Sequence, residues 1–317
     1  MSLRSGLKAP ASIKANGLAD QYKDMRSGAA WLWTPTNNTA ISARTLIKSY
    51  VMELIASFVF CFFVVFSVVT AVNNGADMNL RTMLVALVSG ASYYMVTGWL
   101  RMPEEELPRH ASWSVTLARF LVLRFGLFHT LIYLVVQLVG AIIAAALLFG
   151  FGFGASVVDV WVPAFPAGGS VAHSWGAELL SSGLIIFSLL YNHMAGVETD
   201  DEQKYERKGE MAASLVRGLA TFLFFRLGHF TFDSIVYLAG LFATGMAGPF
   251  LSDTAATRLS WGFFVGVPLL GAIGAVLLYW LMVFLSYHPE TKYKANGGPG
   301  LARAERQIHT QYVKLAE

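Results

Sequence analysis

The chain has 317 residues, 55% of them hydrophobic and 14% charged, with a formal net charge of +3. So apolar a composition excludes intrinsic disorder and an ordinary soluble domain, and the small net charge leaves no footprint for nucleic acid. One cysteine, Cys61, excludes a disulfide framework or a cysteine-based metal site. His129, His173, His193 and His229 are scattered among separate segments, without carboxylates at ligand spacing. No metal and no cofactor are expected.

Residues 1–49 read as a polar tail carrying Arg4, Lys8, Lys14, Lys23, Arg26, Arg44 and Lys48. It has no apolar h-region, so a secretory leader is not expected. Leu3, Leu7, Ile13 and Leu18 among Lys and Ser fit either a weakly amphipathic surface helix or a solvated tail. Six apolar runs follow, near 51–72, 83–100, 126–150, 175–195, 211–230 and 261–287. A bilayer needs roughly 20 apolar residues per spanning helix, so the chain reads as a multi-pass membrane protein. Arg101, Arg109, Arg119 and Arg124 follow the second run, Lys204, Arg207 and Lys208 follow the fourth, and residues 288–317 form a second basic tail. The intervening linkers are nearly free of basic residues, with only Arg81 and Arg258. The positive-inside bias therefore places both termini on the cytoplasmic or equivalent side. A plasma membrane and an organelle membrane such as the mitochondrial one fit equally. The Glu104–Glu106 run between the second and third spans reads as a solvated loop, or as a patch over the inner mouth.

The halves repeat. "ELIASFVF" from Glu53 answers "ELLSSGLIIF" from Glu178, and "QLVGAIIAAALL" from Gln137 answers "PLLGAIGAVLLY" from Pro268. Each half holds three spans, so the halves run in opposite senses through the bilayer, as an inverted repeat. Each half also has an apolar leftover too short to span. One is Ser112–Leu123; the other is Ile235–Leu251, broken by Gly240, Gly245, Gly248 and Pro249. These predict two re-entrant half-helices whose N-terminal N–H groups and positive dipole ends meet near the midplane. The expected fold is an all-α membrane protein with six transmembrane helices plus two re-entrant half-helices. Its membrane domain is 50–287, made of repeats 50–153 and 175–287. Re-entrant backbone inside a bilayer needs hydrogen-bond partners. Glu53, Glu178 and Gln137 are placed to supply them, although a Glu near a helix end can also snorkel to the interface.

On these residues the chain resembles the aquaporin family, the major intrinsic proteins. His110, Val115, Thr116 and Leu117 match the family's first loop motif, His-x-Asn-Pro-Ala-Val-Thr-Leu, and Glu53 and Glu178 fall on its paired glutamates. "YLVVQLVGAIIAAAL" and "VGVPLLGAIGAVLLY" resemble its third and sixth spans. The resemblance covers about 50–287 and implies the fold just described, a pore in each protomer, and a homo-oligomer. The defining motifs are absent. Ser112-Trp113-Ser114 stands at the first Asn-Pro-Ala, and "ATGMAGPFLSD" stands at the second. One register puts Ala247, Gly248, Pro249 and Phe250 on Asn-Pro-Ala-Arg, and another puts Pro249 to Ser252 there. Phe225 and His229 are both candidates for the family's fifth-span histidine.

Ser112 is a fit helix cap, since a serine hydroxyl can accept from an N–H two or three residues on. Trp113 would either plug the midplane, filling space left by small Ala247, Gly248 and Pro249, or turn away into the inter-helix core. His110 would hydrogen-bond within its loop. Two functions follow: a structural membrane subunit whose pore is narrowed or closed, or a channel of altered selectivity for small neutral solutes. No protease or other enzyme motif is present. The expected surroundings are a lipid bilayer and a homo-oligomer or larger membrane assembly, with the two tails as docking segments.

Overall fold

A computed structural model describes residues 43–99, 107–122, 125–153, 171–198, 202–225, 232–246 and 255–286. The described residues are helical, and their elements follow the apolar runs in order. They are α1 (Ala43–Asn73), α2 (Met78–Tyr94, extended by a π-helical turn at Met95–Trp99), α3 (Trp113–Leu121) and α4 (Leu127–Leu148, with a π turn at Phe149–Phe153). The second repeat holds α5 (Val171–Glu198), α6 (Glu202–Phe224), α7 (Ser234–Met246) and α8 (Ala255–Ser286). Both tails, 1–42 and 287–317, lie outside the described residues, as do the Glu104–Glu106 run and His229.

Short signals mark the α1–α2 turn. Gly75 has φ of +63°, and the Ala76 N–H bonds back to the Ala71 carbonyl at 3.1 Å, closing the last turn of α1. Glycine suits that left-handed position because it has no Cβ to clash. Asp77 then caps α2, its carboxylate accepting from the N–H groups of Asn79 and Leu80 at 2.8 and 2.9 Å.

Packing repeats by halves. In the first repeat α1 packs on α2 and α4; in the second, α5 packs on α6 and α8. The repeats are joined where α2 crosses α6. There a Cβ on Gly90 would stand 2.8 Å from the Ser214 carbonyl oxygen, and one on Gly218 would stand 3.2 Å from that of Ala86. The two short helices change sides: α3 lies on α4 and reaches α8, while α7 lies on α8 and reaches α4 and α1.

Polarity is turned inside out, as a bilayer solvent requires. Leu87, Val135, Leu180, Leu215, Leu219 and Leu277 are exposed, while Glu53, Ser89, Gln137, Glu178, Arg217, Thr221 and Asp233 are buried. Among the described residues three helices are long and apolar enough to cross a membrane by length and composition: Thr45–Asn73, Leu127–Phe151 and Val265–Met282; Gly176–Asn192 is a shorter apolar stretch.

Candidate functional site at the half-helix junction

The first half-helix begins where the chain reverses at Ala111, a non-glycine residue with φ of +53°. Glu53 on α1 holds this reversal. Its two carboxylate oxygens accept the His110 N–H at 2.9 Å and the Ala111 N–H at 2.7 Å. Gln137 on α4 donates to the same carboxylate and to the Thr116 hydroxyl at 2.9 Å. Thr116 in turn donates to the Ser112 carbonyl at 3.0 Å, and the His110 Nδ1 lies 3.0 Å from the Thr116 oxygen. The His110 ring packs in T-shaped contact with both Phe125 and Tyr133, at centroid distances of 4.7 and 5.0 Å. Glu53, His110, Ser112, Thr116 and Gln137 have no exposed surface, and Ser114 is buried in the first turn of α3. Such a network fixes one backbone path where none could be solvated.

The second half-helix starts in the same way. Phe232 also has a left-handed φ, +47°, and is followed by Asp233 and Ser234 as Ala111 is followed by Ser112 and Trp113. The likeness extends to contacts. The Trp113 indole N–H donates to the Leu134 carbonyl at 3.1 Å, and the Ser234 hydroxyl donates to the Val265 carbonyl at 2.6 Å. Leu134 stands three residues before Gln137, and Val265 three before Pro268. Trp113 is half-buried and packs on the main core. Glu178 is buried on α5 at the place matching Glu53.

The helix start that comes beside Ser112 is thus Asp233–Ser234. Ala247, Gly248, Pro249 and Phe250, the segment singled out from sequence, follow the last residue of α7 and lie outside the described residues. Asp233 caps α7, its Oδ1 accepting from the Ile235 N–H at 3.1 Å. Ser112 sits at the cap of α3 with extended backbone, but its hydroxyl makes no capping bond. It lies beside the Asp233 carboxylate, short of a well-formed hydrogen bond.

The charge on Asp233 is met by a residue that sequence reading passed over. Arg217, in the middle of α6, places Nη2 2.9 Å from Asp233 Oδ2, and the two side chains are 1% and 0% exposed. Its guanidinium lies 4.9 Å from the Phe60 ring centroid of α1 and 4.8 Å from that of Tyr93 of α2. The signals were present. A charge within an apolar span is costly and marks an interior site, and Asp-Ser ahead of "IVYLAG" is a helix-start pattern. Phe225, one of the two candidates for the fifth-span position, packs on the main core at the end of α6.

These elements can be set beside known proteins. The chain resembles the X-ray structure of the aquaglyceroporin from Plasmodium falciparum, with a TM-score of 0.57 and 15% identity over 74% of this chain and 95% of that one. At that identity the likeness is one of fold. No curated protein matches the chain. The family model described as major intrinsic protein matches residues 40–279, most of the chain. By that match, and with the fold in agreement, the chain belongs to the major intrinsic protein family.

Proposed function

We propose that this protein is a multi-pass membrane member of its family whose pore is closed to water and small neutral solutes, and that it serves as a structural membrane subunit. The observation that carries the reading is the buried junction of the half-helices: Ser112, Asp233 and Ser234 are wholly buried, and Asp233 and Ser234 are committed to protein neighbours. A path for a neutral solute needs polar groups free to exchange partners with it. Here the Asp233 carboxylate is engaged by Arg217 and by the backbone of α7. Trp113 is tied to α4, which favours its reading as a member of the inter-helix core.

In this reading the basic tails, 1–49 and 288–317, lie on the cytoplasmic or equivalent side and dock a homo-oligomer or larger assembly. Tail deletion is expected to shift the native complex to a smaller mass on blue-native electrophoresis; an unchanged mass would remove the tails from the account. One feature favours the second reading, a channel of altered selectivity. Ser112 and Asp233 keep the junction polar where a fully dewetted plug would be apolar.

Stopped-flow light scattering of proteoliposomes decides between the two. Under sucrose and glycerol gradients, wild type and Trp113→Ala are both expected to match empty vesicles. Flux in the wild type would overturn the closed-pore reading. Flux in Trp113→Ala alone would move the plug to the indole.

A further inference from the structure

The closed-pore reading leaves open what does the closing, and the structure points to one pair. We propose that the Arg217–Asp233 ion pair is the clamp that shuts the junction. This inference rests on the closed-pore reading and assigns it to two side chains.

When two helix starts meet, each presents unpaired N–H groups and the positive end of its dipole, so the meeting point attracts an anion. Asp233 is that anion, built into the chain, with one oxygen on the Ile235 N–H and the other on Arg217. A carboxylate at this depth is stable only with a countercharge, and Arg217 reaches across from α6 to supply it. There its guanidinium lies over the rings of both Phe60 and Tyr93. One side chain thereby bridges α6, α1, α2 and the start of α7. Any solute crossing between these helices at the junction must break a buried ion pair and push the guanidinium off both rings.

The repeat provides an internal control. Arg217 stands immediately before Gly218, the α6 residue at the α2–α6 crossing; the residue immediately before Gly90 on α2 is Ser89. The residue in the first repeat that matches Asp233 is Ser112. The first repeat thus furnishes two buried hydroxyls where the second furnishes two opposite charges. Since the first repeat builds its half-helix start with serines, the fold does not demand the charges. They stand on two different helices, at the one place where those helices bring them together.

The test copies the first repeat onto the second. Full-length wild type, Arg217→Ser/Asp233→Ser and Arg217→Gln/Asp233→Asn are reconstituted, and water and glycerol flux are followed by stopped-flow scattering. Elution volume and helical content identify folded protein. The serine pair is expected to raise water flux roughly tenfold or more over wild type, as about 1.4 kcal/mol off a barrier would. The amide pair keeps most of the volume and a neutral hydrogen bond, and is expected to give a smaller rise. If the serine pair does not fold, the amide pair decides alone. A silent wild type with folded, silent variants would overturn the clamp and leave the closed-pore reading standing. A conducting wild type with faster variants would overturn that reading and, with it, the claim that the pair shuts the junction, leaving the pair as a partial barrier. A conducting wild type with unchanged variants would overturn both.

Discussion

In the first repeat, Glu53 holds the reversal before α3 through two backbone N–H groups and is itself held by Gln137. In the second, Glu178 occupies the matching place on α5, but Pro268 stands where Gln137 would be. Both repeats put a left-handed residue before the half-helix, and both tie the first helical residue to a carbonyl three residues before the Gln or Pro. They differ at the cap and first helical residues, Ser112 and Trp113 against Asp233 and Ser234. Backbone inside a membrane must be satisfied internally whatever the protein does, so its devices persist in both copies. The side chains at these positions carry no such obligation, and there the copies have diverged.

The sharpest way to break this comparison is to remove the glutamates. Glu53→Ala leaves the His110 and Ala111 N–H groups and the Gln137 amide without their acceptor in a buried site. Each buried unsatisfied group costs about 1–3 kcal/mol, so the loss over the three is expected to total roughly 3–9 kcal/mol. Glu178→Ala is expected to cost less, by about the 1 kcal/mol of one hydrogen bond, because Pro268 has no donor to lose. Thermal unfolding of the two variants in the same detergent measures the order. Equal losses would mean that Gln137 adds nothing to the first support.

How far all this can be read from sequence follows the same division. The repeat, its inverted sense and the paired glutamates are legible because "ELIASFVF" and "ELLSSGLIIF" keep their spacing to the Gly-Ala strings. Ser112 and Trp113 are legible because His110 and Thr116 flank them as the family pattern does. The second helix start is not, because no flanking residue marks it. Four breakers, Gly240, Gly245, Gly248 and Pro249, draw the register downstream, while "FDSIV" carries only an ordinary cap signal. The partnership of Arg217 with Asp233 cannot be read at all, since sequence shows a buried charge but not which element brings its counter-ion. Ser112 stands at the cap position its residue type predicts, yet its hydroxyl makes no capping bond and lies beside a carboxylate from the other repeat.

A smaller effect tests whether the two repeats are packed alike as well as built alike. A Cβ on Gly140 would stand 2.8 Å from the Leu54 carbonyl oxygen and 2.9 Å from the Phe58 nitrogen. One on Gly271 would meet the Ser182 hydroxyl at 2.0 Å and the Leu179 carbonyl oxygen at 2.8 Å. Gly140→Ala and Gly271→Ala are each expected to cost about 1–3 kcal/mol by overpacking. The difference lies in rescue. Adding Ser182→Ala should recover some of the Gly271→Ala loss, because one obstacle is a side chain. Ser57→Ala should recover little of the Gly140→Ala loss, because its nearest obstacles are backbone. Equal rescue in both repeats, read as the shift in unfolding midpoint, would contradict this account of the interfaces.

The smallest effect is expected at Ala111, where three terms nearly cancel. Its φ of +53° strains an L-residue by roughly 1–2 kcal/mol, which glycine would relieve. Against that, glycine loses about 0.5–1 kcal/mol in backbone entropy, and a buried methyl worth about 0.8 kcal/mol disappears. Ala111→Gly should therefore lie within about 1 kcal/mol of wild type. Ala111→Val, which adds β-branched bulk to a fully buried left-handed position, should cost several times more. Glu53 already over-determines the reversal through the His110 and Ala111 N–H groups, so the strain is held by the network and not by the residue. A clear stabilisation by glycine would mean that the strain outweighs the packing. A loss above about 2 kcal/mol would mean that the methyl contact exceeds the usual worth of its area.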